Sequence, residues 1–245
     1  MRVRRWTGWG PAAAWSLLLV AAWCGLTALL VASGVAVTHS ASVGAFDRHV
    51  TSVVVADRTD ALTSAMKVVT WFGTWVALLV VLCLLAVLCI RRRLPLLVVG
   101  IAFVAWAGEA AGVAVGKALV QRQRPPERIW MTVAHGSSWP SGHTAVAVLL
   151  FGTLALAAGL TVRSRTVRVL AWALASLMVV AVAYSRIELG VHWCTDTMGS
   201  VLFVTGWLAV VALALRALPP SVSPAGARSD TDTRIVPAQV QETAR

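Results

Sequence analysis

The chain has 245 residues, of which 58% are hydrophobic and 13% charged, and its formal net charge is +11. Its mean hydropathy of +0.79 excludes an ordinary soluble domain, and apolar runs of about twenty residues recur, the length that a helix needs to cross a bilayer. The basic residues stand in short clusters between these runs rather than on one polar face, which argues against a nucleic-acid-binding protein.

The hydropathy pattern predicts an all-α, polytopic membrane bundle of about six transmembrane helices. The first apolar run is too long for the core of a signal peptide, so we expect a retained span. The predicted spans cover residues 12–37, 67–90, 94–116, 142–161, 167–184 and 197–217, each end being approximate. We therefore expect one membrane-embedded domain, residues 1–218. Residues 219–245 are rich in Ser, Thr, Pro and Ala, and we expect a disordered cytoplasmic tail there.

Arginine clusters predict the orientation of the bundle. They precede the first span, separate the second from the third and the fourth from the fifth, and follow the sixth. By the positive-inside bias these segments and both termini face the cytoplasm of the cell, and loops 38–66, 117–141 and 185–196 face outward. The outward loops still carry basic residues, and an anion-binding site on that side of the cell membrane would explain them.

Two further features concern the membrane interface. In the first outer loop, apolar and polar residues alternate between Phe46 and Val54, which fits either a short interfacial helix or an ordinary connector. Tryptophans near span ends are expected to act as interfacial anchors. They are Trp6, Trp9, Trp71, Trp75, Trp139 and Trp172.

The first chemically informative group follows the third span. Lys117 and Arg124, the latter followed by Pro125, are interpreted either as basic residues that snorkel at the interface or as ligands of a tetrahedral oxyanion. Glu109 lies about two turns before Lys117, and a substrate-channel role and a structural hydrogen-bonding role both stay open for this intramembrane carboxylate. The other polar residues of the loop are interpreted as solvated side chains or head-group contacts. They are Arg122, Glu127, Arg128 and His135.

The second group, Pro140 to His143, stands directly before the fourth span. A helix N-terminus presents unpaired N–H groups and partial positive charge. Ser141 is suited to cap such a helix, and Gly142 lets an anion approach the backbone closely. The segment therefore predicts a phosphate cradle, and a simple capping turn would not require His143.

The third group consists of Ser185, Arg186, His192 and Asp196. Because His192 and Asp196 are four residues apart, they would share one face of a helix beginning near Val191. A carboxylate bonded to one imidazole nitrogen fixes the tautomer and leaves the other nitrogen as a nucleophile. All three groups fall in outward loops or at adjoining span ends, which independent caps and snorkelling residues would not explain.

Together the three groups resemble the complete three-part signature of the type 2 phosphatidic acid phosphatase superfamily, and the resemblance covers about residues 60–217. It implies a phosphatase acting on a lipid phosphate or polyprenyl diphosphate, with its site at the helix ends on the outer face. It also implies that His192 forms a phosphohistidine, that Asp196 orients its imidazole, and that His143 transfers protons. The phosphoryl oxygens would be bound by Lys117, Arg124, Ser141, Gly142 and Arg186.

These anion-stabilising groups leave little need for a divalent metal, so we expect activity without metal or cofactor. The four cysteines, Cys194 among them, form no paired metal motif and no disulfide framework. A lipid-linked phosphotransferase would use the same residues and stays open as an alternative, as does the oligomeric state. A transporter or receptor with an anion-binding vestibule explains the cations but not the histidines, and the haloperoxidase branch of the superfamily is soluble.

Overall fold

Eight α-helices and the connections between them make up the part of the chain that the computed structural model describes, residues 11–91 and 96–217. No β-strand occurs in these two ranges. The helices are α1 (Pro11–His39), α2 (Ala41–Ala56), α3 (Asp60–Val69), α4 (Trp75–Ile90), α5 (Leu96–Val120), α6 (Gly142–Thr161), α7 (Arg165–Glu188) and α8 (Cys194–Ala217). The predicted tail, residues 219–245, and the N-terminal arginines and tryptophans lie outside the described residues.

Within the described ranges, α1, α5, α6, α7 and α8 are each long and apolar enough to cross a membrane. A sixth crossing is formed by two segments, Asp60–Gly73 and Trp75–Val87, that meet at an angle of 48°. The prediction of an all-α membrane bundle with about six spans is therefore confirmed.

The second predicted span is a broken helix rather than a continuous one. After α3 the chain forms a 3₁₀ turn, Thr70–Gly73, and Thr74 is extended with φ −88° and ψ 153°. A Cβ atom on Gly73 would lie 2.6 Å from the backbone oxygen of His143 and 2.9 Å from its Cβ. The break thus lets the chain pass directly against the first turn of α6.

Several predicted spans were shorter than the helices that contain them, because these helices continue beyond their apolar segments. α5 extends to Val120 and α7 to Glu188, while α8 begins at Cys194 and not at 197. The early start of α8 has a physical cause: the Oδ1 atom of Asp47 accepts a hydrogen bond of 3.0 Å from the backbone N–H of Thr195. A carboxylate at that place satisfies a free N–H and the helix dipole.

The core of the bundle surrounds α6, whose Ala145, Ala147 and Leu149 are buried against neighbouring helices. Trp139 is also core, with 2% of its surface exposed, and its indole N–H donates to the Leu30 oxygen at 3.1 Å. The expectation that Trp139 anchors the chain at the interface is therefore wrong. The indole ring of Trp139 packs directly against Gly199 of α8, where a side chain larger than glycine would collide with it.

The connection between the first and second spans contains a true helix, α2, as one of the two alternatives predicted for this segment. Its buried residues, however, are the polar Asp47 and Thr51, whereas Phe46 and Val53 are exposed. The inward face of α2 is therefore selected for hydrogen bonding and charge, and it packs towards α7 and α8.

We predict that Gly112→Val loosens the packing of α5 against α8. A Cβ atom on Gly112 would lie 2.1 Å from the Phe203 ring, and overpacking of this kind costs about 1–3 kcal/mol. The matched control is Gly100→Val on the same helix, where a Cβ atom meets nothing within 4 Å. Thermal unfolding in detergent should show a lower midpoint for Gly112→Val only; equal midpoints for the two variants would contradict the packing argument.

Candidate active site

The first turn of α6 combines a capping serine with a glycine. Ser141 is its N-cap, with φ −73° and ψ 109°, and its Oγ accepts from the Thr144 backbone N–H at 3.5 Å and from the Thr144 hydroxyl at 3.0 Å. A Cβ atom on Gly142 would meet nothing within 4 Å. The backbone at Gly142 therefore opens onto free space at the positive end of the α6 dipole, and the predicted cap is confirmed.

Two cations stand around this turn at the ends of other helices. Lys117, in the last turn of α5, donates from Nζ to the Ser137 oxygen at 2.7 Å. Arg186, in the last turn of α7, is 4% exposed and donates from one terminal nitrogen to the Thr70 hydroxyl at 2.7 Å. The Nε–H of Arg186 is buried and has no acceptor. Both cations, together with Arg124, act electrostatically on the imidazole of His143.

All five N–H groups of Arg124 donate hydrogen bonds to protein atoms. Its Nε donates to the Gly136 oxygen at 3.0 Å, and one terminal nitrogen donates to the His135 and Ser137 oxygens. The other terminal nitrogen donates to the Val191 oxygen at 2.6 Å and to His192 Nε2 at 3.0 Å. Burial lowers the pKa of Arg124 although the charge of Asp196 raises it, yet a guanidinium stays charged.

His192 lies in the turn between α7 and α8, two residues before α8, whereas the sequence predicted a helix that begins near Val191 and includes His192. Its backbone N–H and that of Val191 donate to the Arg186 oxygen at 3.3 and 3.2 Å. The turn depends on Gly190, which has φ +74° and whose absent Cβ would lie 2.3 Å from the Ile129 oxygen. The His192–Asp196 pairing nevertheless forms, with Nδ1 and Oδ2 3.4 Å apart.

The hydrogen bonds around His192 identify its tautomer. A guanidinium only donates, so Nε2 accepts from Arg124 and the ring proton sits on Nδ1, facing Asp196. Burial lowers the pKa of His192 to about 4, although the hydrogen bond and charge of Asp196 raise it. The imidazole is therefore neutral at pH 7, and its Nε2 lone pair points into the cluster of cations.

The cations near His143 and His192 differ from the other buried cations in whether a carboxylate neutralises them. Arg58 pairs with Glu188, and Arg122 pairs with both Asp47 and Asp196. Within residues 11–91 and 96–217, no carboxylate lies within ion-pairing distance of the three basic residues predicted to bind phosphate. These three are Lys117, Arg124 and Arg186.

Sequence reasoning missed the residues that hold Asp196. Arg122 donates to Asp196 Oδ1 at 2.6 Å and to Asp47 Oδ2 at 2.7 Å, and the Ser138 hydroxyl donates to Asp196 Oδ2. The interpretation of Arg122 as a solvated loop residue is wrong, since only 7% of it is exposed. One signal was available: Asp47 and Thr51 are four apart on α2 and therefore share a polar face.

The side chains of three remaining residues form no hydrogen bond with the centre among those described. Glu109 is buried within α5, which leaves its role open. Cys194 is the half-buried first residue of α8, and His135 contributes only its backbone oxygen, to Arg124. Among the described side chains, no three His, Cys, Asp or Glu converge as metal ligands would, and metal-independent activity stays a prediction.

Comparison with known proteins identifies relatives of this fold. Residues 93–218 match the family model of the PAP2 superfamily. A transmembrane PAP2-type phosphatidylglycerolphosphate phosphatase from Bacillus subtilis superposes with a TM-score of 0.67 at 20% identity, over 82% of this chain and 96% of that one. Aquifex aeolicus LpxE superposes with a TM-score of 0.53 at 21% identity, over 69% of this chain and 93% of that one. No curated protein matched the sequence.

We predict that His192 stays neutral, with its proton on Nδ1, from pH 7.5 down to pH 5. Its lowered pKa means that protonation begins only as the pH falls towards about 4, whereas an ordinary histidine protonates near 6.5. Imidazole ¹⁵N spectra of the detergent-solubilised protein check this, and His192→Ala assigns the signal. A protonation midpoint near 6.5 would contradict it.

Proposed function

The chain belongs to the PAP2 superfamily, and on that premise we propose that it is a membrane phosphatase that hydrolyses a lipid phosphate or polyprenyl diphosphate through a phosphohistidine. One observation carries the proposal: three basic side chains converge on two histidines without a carboxylate partner among the described residues. A buried charge is costly unless it is paired. A phosphoryl group supplies the missing negative charge.

Arg186 makes the strongest case for an anion at this place. It is almost fully buried, its Nε–H lacks an acceptor, and its one described hydrogen bond goes to a neutral hydroxyl. A buried unpaired donor costs about 1–3 kcal/mol, which an oxyanion would offset. Lys117 likewise uses one of its three N–H groups on Ser137.

In the first half of the reaction, Nε2 of His192 attacks phosphorus while the bond from phosphorus to the leaving oxygen breaks. Asp196 accepts the Nδ1–H bond and stabilises the positive charge that develops on the imidazole. Lys117, Arg186 and the backbone N–H of Gly142 stabilise the phosphoryl oxygens. The negative charge of the bound phosphoryl group favours the protonated form of His143, which gives its proton to the departing oxygen and becomes neutral.

Arg124 has a specific task at the moment of binding. Its N–H occupies the Nε2 lone pair of His192, so attack requires that this hydrogen bond be released. A phosphoryl oxygen entering beside His192 is the natural new acceptor, because the donor already points there. Arg124 would then bind the phosphoryl group while its other N–H groups keep holding the carbonyls of residues 135–137.

In the second half, a water molecule attacks the phosphohistidine, and His143 takes its proton. The bond from phosphorus to Nε2 breaks, inorganic phosphate leaves and His192 returns to its neutral form. The site lies at helix ends, so a lipid substrate would enter sideways from the bilayer. Arginine distribution supports an outer, extracytoplasmic placement of that end in the cell membrane.

We predict that the purified protein releases inorganic phosphate from phosphatidic acid, phosphatidylglycerophosphate or polyprenyl diphosphate in detergent with excess chelator. His192→Ala should abolish release, His143→Ala should slow it about 10²–10⁴-fold, and Arg186→Gln should slow it about 10²–10³-fold. The matched control is His49→Ala, since His49 is exposed on α2. Equal release by wild type and His192→Ala, or none from any substrate, would defeat the proposal.

We predict that a membrane-impermeant maleimide labels Val133→Cys on intact cells, because Val133 is 76% exposed in the loop beside the site. Ser164→Cys, on the exposed α6–α7 connection, should react only after permeabilisation. Wild-type protein gives the background from native cysteines. The reverse labelling pattern would place the site on the cytoplasmic side.

A further inference from the structure

Four buried side chains link α2 to the reacting nitrogen in a continuous chain: Asp47, Arg122, Asp196 and His192. Arg122 is its centre. One terminal nitrogen donates to Asp196 Oδ1 at 2.6 Å and to the Thr195 hydroxyl at 2.8 Å, and the other donates to Asp47 Oδ2 at 2.7 Å. Short charge-assisted bonds on both sides fix a planar guanidinium in one orientation.

Asp47 has two roles in this series of hydrogen bonds. Its Oδ2 accepts from Arg122 and from the Thr195 hydroxyl, and its Oδ1 accepts from the Thr195 backbone N–H at 3.0 Å. Thr195 is the second residue of α8, so the same carboxylate that orients Arg122 also caps the helix that carries Asp196.

The two oxygens of Asp196 have different partners. Oδ1 faces Arg122, while Oδ2 accepts from the Trp193 backbone N–H at 2.9 Å, from the Ser138 hydroxyl and from His192 at 3.4 Å. At 3.4 Å the bond to His192 is longer than the usual N–H···O range. The imidazole therefore does not orient the carboxylate by itself; Arg122, Ser138 and the Trp193 backbone N–H also hold it in place.

We propose that Arg122, oriented by Asp47, is a positioning residue for the nucleophile, and that it acts through Asp196. The proposal rests on the phosphohistidine function proposed above. With Oδ1 held by Arg122, Oδ2 stays directed at Nδ1 and the Nε2 lone pair stays directed at phosphorus. The positive charge of Arg122 also disfavours transfer of the Nδ1 proton to Asp196, which keeps the reactive tautomer.

Kinetics separate this role from a merely structural ion pair. Arg122→Lys keeps the charge but loses the planar bridge, and Asp47→Asn keeps an acceptor for Thr195 but loses the charge. We expect each to lower kcat about 10–100-fold, by analogy with residues that hydrogen-bond to metal-ligating side chains and orient them. KM should change less than about twofold. The matched control is Arg128→Lys, an exposed arginine of the same loop, which should retain wild-type kcat.

A double-mutant cycle tests whether the effect passes through Asp196. In an Asp196→Asn background, Arg122→Lys should cause no further loss of kcat, because the carboxylate that it positions is gone. Equal losses in both backgrounds would show independent action and overturn the proposal. Thermal unfolding midpoints, measured for every variant, exclude loss of folded protein as the cause; a fall in folded fraction that accounts for the lower kcat would also overturn it.

A readout without turnover keeps the proposal testable apart from the proposed function. In imidazole ¹⁵N spectra, Arg122→Lys and Asp47→Asn should shift the His192 Nδ1–H signal or mix the tautomers, and Arg128→Lys should leave it unchanged. An unchanged His192 signal in both site variants would overturn the positioning role. Absence of phosphate release from wild type would instead count against the phosphatase, and the spectra would still decide the positioning role.

Discussion

The carboxylate of Asp196 is the interaction on which the rest of the candidate site depends. It is fully buried and accepts hydrogen bonds from Arg122, Ser138, Trp193 and His192. These donors come from both ends of the α5–α6 connection and from the turn before α8. A single buried negative charge thus joins two connections that are distant in sequence. Because an unpaired buried carboxylate is costly, folding brings these connections together, and the nucleophile is positioned as a result.

The buried cations of this end of the bundle are of two kinds. Arg58 and Arg122 are neutralised by Glu188, Asp47 and Asp196, and they fasten α2 and its connection to the turns around Gly190 and α8. The cations predicted to bind phosphate have no carboxylate partner among the described residues. The first kind holds the loops in place; the second leaves its charge available to a ligand. An anion-binding transporter would need only the second kind, and it would not require that Arg122 pair with the carboxylate that contacts His192.

The sequence predicted the spans and the residues at their ends better than the paths of the connections. Span prediction works because apolar composition over about twenty residues reflects bilayer thickness directly. The break at Gly73 lies within an apolar run, and only the approach of α6 explains it. Trp139 and Arg122 were misplaced for one reason: each looks like an interface residue by position, and only tertiary packing buries it. Long-range partners such as Asp47 and Arg122, 75 positions apart, leave no local pattern.

Helix direction explains how the bundle tolerates Lys117 and Arg186, two cations without a carboxylate partner among the described residues. Lys117 and Arg186 lie in the last turns of α5 and α7, where the helix dipole favours positive charge. Asp196 lies in the first turn of α8, where the dipole favours negative charge, and the Ser141–Gly142 turn presents the positive end of α6 to the open space. Helix C-termini thus stabilise the lysine and arginine without consuming their N–H groups. A carboxylate partner would stabilise them more strongly, but under the proposed function it would occupy the place of the phosphoryl oxygens. The alternation of helix direction at this end therefore stabilises both cations while their charge stays unpaired among the described residues.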